Sequence, residues 1–129
     1  MTAVLLDTHT LIWWFMDSPR LGVAVRDTLL NAEAVFVSAA STFEIATKHR
    51  TGKLPEVAAL LDDFSGHLDS QNFIELAIAH RHARHAGLLS IEHKDPFDRM
   101  LIAQAQLEGL SLVSNERLFD RFGVNRIWD

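Results

Sequence analysis

Four carboxylates stand at comparable places in this chain: Asp7 directly after the apolar run of residues 3–6, Glu44 in Ser38-Ala-Ala-Ser-Thr-Phe-Glu44, Asp98 in Asp95-Pro-Phe-Asp98, and Glu116 in Ser114-Asn-Glu116. Taken singly, each has an ordinary structural explanation. Asp7 can cap the helix that follows it, and Ser41 with Glu44 fits an S-x-x-E capping box. Asp95 can cap with Pro96 at the first helical position, leaving Asp98 in a first turn where the helix dipole favours an anion; Ser114 and Glu116 repeat the theme. A cap explains any one of these acids better than chemistry does, but the set is harder to dismiss. Several carboxylates brought within a few ångström repel, and without a counterion some must take protons at neutral pH. A divalent cation resolves that conflict. Oxygen donors in a chain with no cysteine select a hard ion, Mg²⁺ or Mn²⁺. The chemistry implied is metal-assisted attack of water on a phosphodiester.

Such a site requires elements that bring the four acids together. Residues 3–6 and 35–37 are short continuous apolar runs that read as buried strands, with weaker candidates at 73–78, 112–113 and 126–128. Helical patterns cover 11–15, 23–30, 43–53, 57–68, 80–88 and 97–107, so strand and helix alternate and the class is α/β with a mainly parallel sheet. Ligand sites in such sheets form beyond the carboxyl ends of the strands, where three of the four acids are expected, each at a helix entrance. Asp98 shares a helix face with Leu101, Ile102 and Ala105, which turns it toward the core side.

Composition narrows the alternatives. At 129 residues, with 48% hydrophobic and 22% charged, the chain is expected to form one packed domain over 1–129. Its longest apolar stretch, Leu11-Ile12-Trp13-Trp14-Phe15-Met16, is far shorter than the roughly 20 residues that span a bilayer, and no secretory leader is evident, so a cytoplasmic protein is expected. A balance of 12 basic against 17 acidic residues argues against coating nucleic acid by bulk charge, while leaving a nucleic-acid enzyme open. A phosphorylated receiver domain fails for want of an acidic pair, a phospho-acceptor and a lysine at the required strand ends. A haloacid-dehalogenase-type phosphatase fails because Asp7-Thr8-His9 lacks the second aspartate. Phosphate-loop, dinucleotide and nucleophile-elbow motifs are missing.

The motifs Leu5-Leu6-Asp7-Thr8-His9, Ser38 to Glu44, Asp95-Pro-Phe-Asp98-Arg99-Met-Leu-Ile-Ala-Gln-Ala and Leu112-Val-Ser114-Asn-Glu116 together resemble the PIN-domain ribonucleases, most of all the VapC toxins of toxin-antitoxin pairs. The resemblance spans almost the whole chain. It implies a three-layer α/β/α fold with a mainly parallel sheet of about five strands. It further implies a Mg²⁺- or Mn²⁺-dependent endoribonuclease that acts on RNA, forms a homodimer and binds a small VapB-like antitoxin whose C-terminal segment enters the acidic groove. Position by position, Asp7, Glu44 and Asp98 match the family's metal-binding acids, and Ser114 matches the small hydroxyl residue that orients the first aspartate. Glu116 falls where the family usually has aspartate, with Asp120 as its rival, and Asp95 is either an auxiliary ligand or a cap. The departure at Glu116 keeps an alternative open: a weak or inactive PIN-fold module that binds RNA or protein through a degenerate metal site.

Other residues carry weaker expectations. Thr8 and His9 beside Asp7, and Arg99 beside Asp98, are placed to support the acids or contact RNA. Lys48, Arg50 and Lys53 either hold a substrate backbone or face solvent. In His80-Arg-His-Ala-Arg-His85, a solvated helix face is expected over a zinc pair of His82 and His85. Trp13, Trp14 and Phe15 read as core packing, with a partner surface as the alternative. His93 is open between a phosphate contact and a backbone one.

Overall fold

The computed structural model describes residues 2–129. Along the chain run β1 (Ala3–Leu6), α1 (Thr8–Phe15), α2 (Val23–Asn31), β2 (Ala34–Ser38), α3 (Ala39–Arg50), α4 (Ala58–Asp62), α5 (Phe64–Ser70), β3 (Phe73–Leu76), α6 (His80–Leu88), α7 (Pro96–Glu108), β4 (Ser111–Val113) and β5 (Arg126–Ile127). Short 3-10 turns occupy Pro55–Val57 and Arg117–Phe122. All five strands are parallel, in the order β3-β2-β1-β4-β5.

The order follows from which runs can be buried on both faces. β1 pairs with β2 on one side and β4 on the other, and its Val4, Leu5 and Leu6 have no exposure at all. Side chains alternate along the strand, so Val4 and Leu6 join Val35, Val37, Leu11 and Val25 on one face, while Leu5 joins Leu101, Ile102, Leu112 and Phe119 on the other. Two apolar clusters back to back on one sheet give the α/β/α layering. The chain steps from β1 outward to β2 and β3, then crosses to β4. That reversal between β1 and β4 opens a crevice at the carboxyl ends of the two strands, the place where open parallel sheets hold ligands.

Local departures from the sequence expectations have identifiable causes. The 57–68 pattern is broken at Asp63, whose backbone (φ −145°, ψ 64°) leaves the helical region and whose side chain accepts the Gly66 N–H to start α5. Helix α3 begins at Ala39, capped by Ser38 through the Ala40 N–H, so Ser41 lies inside the helix and forms no capping box with Glu44. Glu44 therefore sits in the second turn of α3, away from its entrance. β3 ends at Leu76, and Trp128 lies outside β5. The start and stop signals of α7 hold: Asp95 accepts the N–H groups of Phe97 and Asp98, Pro96 opens the helix, and Gly109 closes it at φ 66° in the left-handed region. Among the described residues, no helix is long and apolar enough to cross a membrane.

Candidate active site

Asp7 ends β1 and caps α1. Its Oδ1 accepts the Thr10 N–H at 2.9 Å, and its Oδ2 accepts the Ser114 hydroxyl, delivered from the end of neighbouring β4. Only 4% of the residue is exposed. Burial pushes the Asp7 carboxyl above its ordinary range, opposed by the bonds from Ser114 and Thr10. Ser114 is a relay in this corner, because its Oγ also accepts the Glu116 N–H at 3.0 Å. The turn that presents Glu116 is thus tied to Asp7 through one hydroxyl.

Glu44 reaches the same corner from α3 and has both oxygens engaged. Thr8 donates its hydroxyl to Oε1 at 2.6 Å, with Ser41 Oγ 3.1 Å from the same Thr8 oxygen, and Lys48 donates to Oε2 at 2.7 Å from one helical turn away. The Lys48 pairing was readable as an i,i+4 pair. Thr8 is consequently a bridge between α1 and α3, which explains why a threonine hydroxyl is tolerated at 5% exposure.

Asp98, in the first turn of α7, accepts the His93 Nε2–H at 2.7 Å. Burial raises its carboxyl, the His93 bond lowers it, and the negative charges of Asp95 and Glu44 raise it again. His93 is the site residue that the sequence left undecided. Its only signal was its place in the loop leading to the Asp95-Pro96 cap.

These residues line one cleft of about 170 Å³, in which Asp7, Glu44, Asp95, Asp98 and Glu116 meet Thr8, His9 and Leu118. A larger hollow of about 680 Å³ adjoins the loop of residues 91–94 but contains one acid, Glu92, and lacks the convergent donors. The cleft's donor set is carboxylate and hydroxyl oxygen, with two buried carboxyls whose charged forms solvent does not satisfy. That chemistry fits a hard divalent cation held by Asp7, Glu44, Asp98 and Glu116. Among the described residues, no three acids or imidazoles already converge closely enough to hold a cation. The engagement of both Glu44 oxygens is one physical reason, since the Lys48 ammonium supplies the positive charge there.

Arg99 does not point into the cleft. Its guanidinium donates to the carbonyls of Ala86, Gly87, Leu89, Ile91 and His93 at 2.8–3.3 Å, so the phosphate contact expected of it gives way to a loop-fixing role. Consecutive helical residues diverge by about 100°, and adjacency to Asp98 in sequence was misleading for that reason. Asp120 is held outside the cleft by the Arg126 fork at 2.8 and 3.1 Å, which keeps its carboxyl below the usual range. The solvated-face expectation fails for His82, which is 2% exposed, accepts the Ala79 N–H at Nδ1 and bonds Glu108 through Nε2. His85 turns instead to Gln106. Arg81 pairs with Glu108. Trp13, Trp14 and Phe15 pack against the apolar cluster, half-buried.

Residues 4–125 match the PIN domain family. The chain is 32% identical over 120 residues to Ribonuclease VapC22 of Mycobacterium tuberculosis, a match covering 91% of this chain and 89% of that protein. Among solved structures it resembles a chain of DNA-bound VapBC from Salmonella typhimurium (TM-score 0.72, 23% identity, 98% of each chain). It also resembles a chain of VapBC2 from Rickettsia felis bound to a DNA fragment from their promoter (TM-score 0.74, 15% identity, 99% of this chain and 100% of that one). At these identities the structural likenesses speak for the fold.

Proposed function

This chain belongs to the PIN-domain family, and on that premise we propose that it is a Mg²⁺- or Mn²⁺-dependent endoribonuclease acting as the toxin of a toxin-antitoxin pair. The observation that carries the reading is the convergence of Asp7, Glu44, Asp98 and Glu116, from four separate elements, on one small cleft at the carboxyl end of the sheet. Its relative in Mycobacterium tuberculosis, a ribonuclease by name, supports RNA as the substrate.

A cation held by Asp7, Glu44, Asp98 and Glu116 would supply charge for the phosphate oxygens and an activated water. The chain's own residues do the rest. Ser114 and the Thr10 N–H fix the Asp7 carboxylate in one orientation, and Thr8 fixes Glu44. His93 holds Oδ2 of Asp98 and so orients that carboxylate toward the cleft. Glu116 completes the acidic wall, with its backbone set by Ser114, and Asp95 serves the helix as a cap and adds negative charge at the rim.

We assign the partner as a small VapB-like antitoxin, in keeping with the VapBC complexes among the structural neighbours. Lys48 on Glu44 illustrates how it acts: a basic side chain takes the place of the cation's charge, as a C-terminal Arg or Lys of the partner does from outside. A homodimeric, cytoplasmic protein with one domain over 1–129 completes the reading. The second reading, an inactive binding module, draws on the Lys48–Glu44 pair and on the finding that, among the described residues, no three of the acids lining the cleft are close enough to share a cation. A cleavage assay on single-stranded and structured RNA, with Mg²⁺, with Mn²⁺ and with chelator, decides between them. Metal-dependent cutting that is lost in Asp98→Asn is expected; equal residual cutting by both proteins, or none by either, overturns the nuclease reading.

A further inference from the structure

The mouth of the cleft carries a ring that the carboxylate cluster does not use. His9 is exposed on the first turn of α1 and borders the cleft beside Asp7. It forms no side-chain hydrogen bond or ion pair among the described residues. Its ring centroid lies 5.7 Å from that of Trp13, one turn further along α1, with 34° between the planes. Behind Trp13 stands Trp128 at 6.0 Å, and the Arg20 guanidinium lies 5.4 Å from the centroid of a Trp13 ring. Arg20 is exposed and has no ion pair among the described residues, although Asp17 is close in sequence; Asp17 pairs with Arg26 instead.

Core packing accounts for Trp13 and Trp128, which are half-buried against the apolar cluster. It does not account for a polar ring left in solvent at the lip of an acidic cleft, nor for a guanidinium kept over an indole. An exposed ring backed by a second ring, with an unpaired cation against that second ring, has the composition of a platform on which a base stacks while its phosphate meets a positive charge.

We propose that His9, braced by Trp13, and Arg20 form a subsite for one unpaired nucleotide of the RNA adjoining the bond to be cut. The base lies on the imidazole, and its phosphate is drawn to the guanidinium. This rests on the nuclease reading of the cleft. A base within a duplex has both faces covered by its neighbours and is refused, whereas any unpaired base offers a π face. The subsite therefore selects unpaired over paired RNA and discriminates weakly among the four bases.

The experiment compares a single-stranded oligonucleotide of mapped cleavage position with versions made abasic on either side of the cut bond. The unmutated chain is expected to prefer the intact oligonucleotide over one of the abasic versions by about fivefold or more in kcat/KM, the lower end for loss of one base stack. His9→Phe keeps that preference and His9→Leu abolishes it, while Arg20→Gln reduces the salt dependence of binding measured by anisotropy in chelator. Equal cutting of intact and abasic oligonucleotides by the unmutated chain, or an undiminished preference in His9→Leu, overturns the subsite and leaves the nuclease reading standing. An unmutated chain that neither cuts nor binds any RNA removes both.

Discussion

Asp7→Asn is expected to stabilise the metal-free protein at neutral pH while abolishing cleavage. The substitution keeps the shape of a side chain that is 4% exposed and keeps an acceptor for the Thr10 N–H. What it removes is a buried charge with no cation against it, whose desolvation costs several kcal/mol even after relaxation. What it loses is the extra strength of two charge-assisted hydrogen bonds, about 1 kcal/mol each. The difference favours the variant by about 1–2 kcal/mol, or roughly 3–8 °C in melting temperature for a chain of this size. Burial raises the folded-state pKa of Asp7 above its ordinary value of 3.8, so the destabilisation is complete above the folded pKa, fades as pH falls below it, and vanishes below 3.8. Thermal melts of both proteins in chelator at pH 7.5 and near pH 4 should therefore show a gap that closes on acidification. Saturating Mg²⁺ should reverse the order at pH 7.5, since about 2.7 kcal/mol accrues to the protein that binds it at a hundredfold excess over Kd. An Asp7→Asn protein that melts at or below the unmutated one in chelator at pH 7.5 refutes the reasoning.

Glu116→Gln should raise the Mg²⁺ concentration for half-maximal cleavage by about tenfold, Glu116→Asp should stay within about threefold, and Asp120→Asn should leave the titration unmoved. Lys48→Met frees Oε2 of Glu44, so the same titration should reach its midpoint at several-fold lower Mg²⁺, while the chelated protein melts earlier because a buried carboxylate has lost its partner. Arg99→Met should cost about 2–4 kcal/mol in chemical denaturation, because five carbonyls lose their shared donor, and limited proteolysis should then cut within residues 89–95.

The parts of the fold legible in the sequence were those set by local chemistry. An apolar run stopping dead at Asp7, and a helix bounded by Asp95-Pro96 and Gly109, admit few other structures. The break at Asp63 was hidden because residues 57–68 keep an unbroken helical pattern, and only packing of α5 under β3 decides where the turn falls. Ser38 and Ser41 are equally good caps in isolation; the end of β2 chooses the first, and that end is a property of the sheet. The acids themselves were legible because carboxylates after buried strands have few neutral explanations in combination. Lys48 stands at the i,i+4 spacing from Glu44 that a helix pairs, whereas His93, which holds Asp98, depends on a loop conformation that sequence adjacency does not encode.

The strand order has a consequence for how the protein is made. β1 and Asp7 leave the ribosome well before β4, which fills the place beside β1, brings Ser114 and Glu116, and follows α1 to α7, β2 and β3 in the chain. Until then the central strand has one open side, Asp7 lacks the hydroxyl that orients it, and the cleft has no fourth wall. The acidic cleft of this PIN-domain chain is therefore assembled only late in synthesis, once β4 has docked beside β1.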